Sequence, residues 1–338
     1  MAQETSEDTE VKYAVAEQKP RGLLADLFIR LLKEKPLGTV GLVIVILLFF
    51  TGIFADLSYF GFPNLGLAPY GFNEINLAHR LDAPSVTHWL GADNLGRDML
   101  SRVIFGARVS MYVGLGAILI SVAEATFIGI ICGYFGGKVD IIIQRFVDAW
   151  MCFPMLFILL TAMAVLSGLM DPILLMILVL GLASGIGSSR LIRSAVIAIK
   201  GNMYVQAATA IGSPAPRTLV RHILPNVMPP IIIMLSIGMG GVIMAEASLS
   251  FLGFGLPPPT PSWGGMLSGS GRTHMIRAPW MMIWPGLALA LVVYGINMFG
   301  DAVRDLLDPR LRGGLGRFSG FAKKRAKLAK KATQTLEL

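Results

Sequence analysis

Charge is scarce in this chain. Only 15% of its 338 residues are Asp, Glu, Lys or Arg, while 54% are hydrophobic and the mean hydropathy is +0.66. Soluble domains carry about 25% charged residues, so the shortage points to a protein that crosses a membrane several times. Cysteine is nearly absent. Cys132 and Cys152 fall within or beside apolar runs, which excludes a disulfide framework and a thiolate metal site. His79, His88, His222 and His274 are scattered over loops without ligand spacing. The one Gly-Lys pair, Gly137-Lys138, lacks the preceding glycine and is followed by Val139. A phosphate-cradling loop is therefore excluded, and with it ATP hydrolysis by this chain. No Ser, His and acid set can be argued. The sequence predicts a protein with no catalytic residues, no metal and no cofactor of its own.

What is present is a series of apolar runs. Residues 1–19 are acidic and lack an apolar period, which predicts disorder. From Gly22 to Lys33, Leu23, Leu24, Leu27 and Leu31 share one helix face, and Asp26, Arg30 and Lys33 the other. Such a helix lies along a membrane surface, and Pro36 ends it. A crossing needs about 20 apolar residues. By that measure the spans are Leu37 to Leu57, Val109 to Gly133 and about 147–168, then Ile173 to about Ser189, Val227 to about Phe251, and Met281 to Phe299. The expected organisation is an amino-terminal segment (1–36), a six-span all-α domain (37–301) and a basic tail (302–338). The second and third spans are joined by a short loop holding Lys138 and Arg145.

Lys and Arg set the orientation. With both termini cytoplasmic, the inner segments hold 23 and the outer segments, 58–108 and 252–280, hold 6; without the tail the bias is still 13 to 6. The tail's lysines read as attraction to anionic lipid, not as a nucleic-acid site.

One inner segment, Arg190 to Pro225, is too polar to cross. It has five Lys/Arg and no Asp or Glu. Within it Tyr204, Ala207, Ala208 and Ile211 fall on one helix face. Gly212 is a helix stop, Ser213-Pro214 starts a second short helix, and Pro225 closes the module. A small-residue helix held between breakers is a surface for another protein to grip.

Few groups could act inside the membrane. Glu246 lies in the outer part of the fifth span, where a carboxylate is expensive unless it faces protein or water. It is expected to face the subunit interface near an outer gate and to hold the 252–280 loop. Glu124 is deeper, in the second span, and is expected inside the bundle. Arg145 and Asp148 are placed for a local ion pair. Met234, Met239 and Met244, with Ser236 and nearby glycines, suit a helix lining a passage for varied cargo, although ordinary packing explains them equally well.

Gln206-Ala207-Ala208, Gly212 and Leu224-Pro225 resemble the EAA loop of membrane subunits of ABC importers. Gln206 stands where that pattern has Glu, and His222 where it has an aliphatic residue. HWLGADNLGRDMLSRVIFGARVS, EASLSFLGFGLPPPTPSWGGML and GDAVRDLLDPRLRG are similar to the permeases of dipeptide, oligopeptide and nickel importers, in particular the second of two paired permeases. The similarity runs from about Pro36 to Gly313. It implies a coupling helix at 203–211 that docks on an ATPase. It also implies a heterodimer with a sister permease, two ATP-binding subunits using ATP and Mg, an extracytoplasmic substrate-binding protein, and a bacterial or archaeal cytoplasmic (inner) membrane. The implied cargo is a di- or oligopeptide; nickel chelates, opines and oligosaccharides are alternatives. An ion-coupled secondary transporter would need inverted repeats and midplane charges, and a scaffold or receptor would not need the 203–211 module.

Overall fold

The computed structural model describes residues 23–56 and 66–307. The acidic amino terminus, part of the first outer loop and the basic tail lie outside them. Among the described residues the chain is helical, with a single isolated bridge between Ala92 and Asp98 and no strand. In order the helices are α1 (Leu23–Glu34), α2 (Pro36–Phe54), α3 (Met99–Phe135), α4 (Gly137–Met151), α5 (Met155–Leu166), α6 (Pro172–Lys200), α7 (Met203–Ala210), α8 (Ala215–Thr218), α9 (Leu224–Phe251), α10 (Trp263–Leu267), α11 (Gly269–His274) and α12 (Trp280–Leu307). Five segments are long and apolar enough to cross a membrane, or up to six if a bent pair is one span.

That pair corrects the expected third span. Residues 147–168 are not one helix: α4 and α5 meet at 84°. The break falls at Cys152–Pro154, because a proline lacks a backbone donor and disfavours helical geometry in the residue before it. The expected loop with Lys138 and Arg145 is itself α4. Two further boundaries move. α3 starts ten residues before Val109 and has 37 residues, about 56 Å of helix. Asp98 caps it, accepting from the Ser101 backbone N–H at 2.8 Å and from its hydroxyl at 2.8 Å. α6 continues past Ser189 to Lys200, so Arg190 and Arg193 extend a membrane helix and do not belong to a loop. Pro36, read as a terminator, opens α2 in its first turn, where a missing N–H costs nothing.

α3 and α6 are the packed centre. Gly129 and Gly133 of α3 lie against Ile192, Val196 and the Ser189 carbonyl, and Gly181 and Gly185 of α6 lie against Ile120 and the Ser121 carbonyl. Small residues let helix backbones approach where lipid supplies no hydrophobic drive. Around this pair one apolar core joins Val113, Ile118, Met176, Leu180, Ile243 and Ile296. α2 packs on α12 through Gly41 and Gly295. α1 seats Leu31 against Ala302 and Leu306, and Lys35 reaches Asp305 at 2.5 Å.

The glycine contacts are testable. A Cβ at Gly129 would lie 2.7 Å from both Ile192 and the Ser189 carbonyl, whereas one at Gly241 would meet nothing within 4 Å. Gly129→Val should therefore destabilise the protein by about 1–3 kcal/mol, and Gly241→Ala should be neutral or slightly stabilising. Thermal unfolding in detergent measures both.

Candidate functional site

α7 is a short knob at the far end of α6. Its stop is a complete Schellman motif: Gly212, at φ +83°, donates to Thr209 at 3.0 Å, and Ser213 donates to Ala208 at 3.0 Å. Only a residue at home in the left-handed region fits there. Ser213 does not cap the next helix as expected. Pro214 occupies the cap position of α8, and the Ser213 hydroxyl instead accepts from Thr218 at 3.1 Å. Pro225 does not close the module either. α8, a π turn at Leu219–Ile223 and α9 run on as one 37-residue segment, Ala215–Phe251. A widened turn before Pro225 relieves the clash its ring would make with a regular helix.

The expected docking face is divided by the structure. Tyr204, Gln206, Ala207 and Ile211 are exposed, with Ile211 at 86% and Met203 at 87%. Ala208 is buried, and with buried Val205 it forms the inner side of the knob. Val205 belongs to the same apolar core as Ile223 and Val227, so this side faces the bundle. Gln206 donates to the Gly201 carbonyl at 3.1 Å and does not point a charge outward. His222, the other departure from the EAA pattern, has its ring 6.4 Å from that of Tyr204.

Three cations tie the helix leading into α7 to its neighbours. Arg193 grips Asp140 of α4 through two nitrogens, at 2.6 and 2.5 Å. Arg190 contacts Asp148 of α4, and Lys200 donates to the Tyr134 carbonyl at 2.6 Å, over the Tyr134 ring. The expected Arg145–Asp148 pair is present at 3.4 Å, but Arg145 is solvent-exposed and Arg190 is the closer partner of Asp148. Sequence reasoning missed this clamp because α4 was read as loop. The available signal was Asp140 and Asp148 two turns apart, opposite Arg190 and Arg193 at i, i+3.

The end of the bundle opposite α7 is a second compact assembly. His88 Nδ1 lies 3.0 Å from Asp98. Asp93 binds Arg97 Nε at 2.7 Å and accepts the Leu95 and Arg97 backbone N–H groups. Trp263 and Trp280 donate to the Val103 and Ala92 carbonyls, each at 3.0 Å. These bonds fasten the 252–280 segment to the start of α3. Gly91 (φ +82°) packs against Trp280 at a distance that leaves no room for a side chain.

Glu246 sits inside this assembly and does not present its carboxyl at a subunit interface. It is fully buried within the chain. Ser250 donates to its Oε1 at 2.7 Å, and its Oε2 has no partner among the described residues. Close contacts of Gly264 with the Ala247 backbone, and of Gly255 with Ser250, hold the 252–280 segment over it. Its burial equally excludes a side chain reaching out to headgroups. Of the methionines expected to line a passage, Met239 is buried, Met234 half-buried and Met244 exposed within this chain. Ser236 bonds back to the Ile232 carbonyl. Glu124 is inside the bundle, its Oε2 over Gly185 without a hydrogen-bond partner among the described residues. No cluster of metal-ligating residues occurs among the described residues.

The family described as binding-protein-dependent transport system inner membrane component matches residues 125–313, which hold the clamp on α4, α7 and the 252–280 segment. The chain is similar to the dipeptide transport system permease protein of Alkalihalophilus pseudofirmus, 37% identical over 281 residues that cover 83% of this chain and 88% of that protein. It is similar also to the oligopeptide transport system permease protein of Bacillus subtilis, 33% identical over 296 residues (87% and 92%). A third relative is the glutathione transport system permease protein of Pectobacterium atrosepticum, 36% identical over 231 residues (68% and 75%).

The Glu246–Ser250 pair yields a signed prediction. Ser250→Ala strands the buried carboxyl and should cost about 1–3 kcal/mol, whereas replacing both partners by apolar groups can be nearly neutral. The double variant Glu246→Leu/Ser250→Ala should therefore melt above the Ser250→Ala single in detergent. A double variant no more stable than the single would show that the hydrogen bond is not what holds Glu246.

Proposed function

Because this chain belongs to the family of inner-membrane components of binding-protein-dependent transport systems, we propose that it is the transmembrane subunit of an ATP-driven importer that moves di- or oligopeptides into the cytoplasm. It forms half of the membrane pathway with a sister permease, in the cytoplasmic (inner) membrane, with both termini on the cytoplasmic side. Two ATP-binding subunits supply ATP and Mg chemistry, and an extracytoplasmic binding protein delivers the cargo. The peptide-permease relatives favour peptides over nickel chelates, opines or oligosaccharides. An ion-coupled transporter would lack a use for α7.

The observation that carries the reading is the build of α7. Its inner side is anchored by Val205 and Ala208, and its outer side leaves Met203, Tyr204, Ala207 and Ile211 bare. Exposed apolar residues on a polar, cytoplasmic knob mark a protein-binding surface. A push on that surface is passed to α6 and α9, between which α7 sits in the chain. Through Arg190, Arg193 and Lys200 it also reaches α4 and the end of α3. Such contacts let ATP-driven closure of the partners tilt the membrane helices as units.

Substituting the two neighbouring alanines separates docking from folding. Ala207→Glu adds a charge to the exposed side, so the protein should fold and reach the membrane while peptide-stimulated ATP turnover and uptake in proteoliposomes fall at least about tenfold. Ala208→Glu puts a charge in the buried side and should lower the yield of folded protein itself. Full uptake by the Ala207→Glu complex would remove α7 from the coupling route.

A further inference from the structure

At the outer end of the protein a cleft of about 820 Å³ opens between the Asp93–Arg102 turn, the α5–α6 junction and the 250–269 segment. The charges inside it do not balance. Arg97 and Arg102 both line it, each about 10% exposed, and both share the single carboxylate of Asp93. Arg97 Nε is 2.7 Å from Asp93 Oδ2, and Arg102 Nε is 3.7 Å from the same oxygen. Asp93 Oδ1 is already used by two backbone N–H groups. Arg102 Nη1 has only the Phe72 carbonyl, at 3.0 Å. The terminal nitrogens of Arg97 have no hydrogen bond among the described residues. Two nearly buried guanidinium groups thus face a cleft with one negative charge between them. A buried charge without a counter-charge is costly, and the group that fits an arginine fork is a carboxylate.

The rest of the lining sets the chemistry that accompanies that carboxylate. Met99, Met163, Met170, Met266 and Met281 all line the cleft. Flexible thioethers accommodate side chains of differing shape, and the volume falls in the range of small-ligand sites, about 300–1,000 Å³. Ser250 and Ser262 supply hydroxyls near its floor. We propose that this cleft binds the free carboxyl end of a short peptide, with Arg97 and Arg102 holding the carboxylate and the methionines receiving the side chains. This rests on the reading of the protein as a peptide importer and adds a site on this subunit for the cargo.

The test uses the full chain in nanodiscs, titrated with Leu-Leu-Leu and with its carboxyl-terminal amide. Saturable binding of the acid, with the amide at least about tenfold weaker, is expected. Changing Arg97 or Arg102 would expose Asp93 to loss of its partners and disturb the fold, so the site is blocked from the opposite wall. Thr260 lines the cleft and makes no hydrogen bond among the described residues. Thr260→Trp should weaken binding at least about tenfold, and the melting temperature should stay within a few degrees of the parent. Equal affinity for acid and amide, or unchanged affinity in folded Thr260→Trp, overturns the proposal. Uptake of Leu-Leu-Leu by the reconstituted complex is measured in parallel. Uptake without binding to this chain defeats the cleft site and leaves the importer reading standing, whereas absence of both defeats the two together.

Discussion

The fold depends on how closely α3 and α6 approach. In a bilayer the lipid is as apolar as leucine, so helices associate through close packing and not through expulsion of water. Here glycines on both helices remove the side chains that would keep them apart. Gly129 and Gly133 admit Ile192 and Val196 of α6, and Gly181 admits Ile120 of α3. Once these helices are joined, the carboxyl-terminal end of α6 has a fixed position. That end carries Arg190 and Arg193, and it runs directly into α7. Glu124 lies in the same seam, half-buried, with its Oε2 over Gly185.

The two ends of the molecule use different physics. At the end that carries α7 the fastenings are ionic and partly exposed. Isolated surface pairs contribute little, but a two-pronged Arg193–Asp140 contact fixes orientation as well as distance. Such contacts suit parts that must transmit a tilt. At the opposite end the fastenings are buried: hydrogen-bonded carboxylates, indole N–H groups on carbonyls, and glycine contacts that exclude a Cβ. This end holds its shape while leaving a cleft beside two arginines. A subunit that is firm at one end and levered at the other fits the work of an importer driven by partner subunits.

Much of this was legible in the residues. Apolar runs placed five crossings, because length and composition are all a span requires. Gly212 announced the end of α7, because few other residues adopt its backbone conformation. The third span was misread because Cys152–Pro154 interrupts an apolar run without changing its composition. α4 was missed because a membrane-scale window does not register a short amphipathic helix carrying four charged residues. Pro225 and Ser213 were misjudged since local preference yielded to the π turn and to the packing of α8. Glu246 lies beneath the 252–280 segment. Its burial came from contacts of Gly255 and Gly264 far along the chain, which no local pattern reports. The face of α7 was drawn from periodicity, which cannot tell the side that docks inward from the side that stays bare.

The central claim is that force enters this subunit through the bare side of α7. The most direct test places a photo-crosslinking amino acid at Ile211 or Met203, and at Glu74 as an outer control, in the assembled transporter in its native membrane. The account predicts that Ile211 and Met203 each give an adduct with an ATP-binding subunit and that Glu74 gives none. Adducts with that subunit from Glu74, or their absence from both α7 positions in a transporter that still hydrolyses ATP, would contradict it.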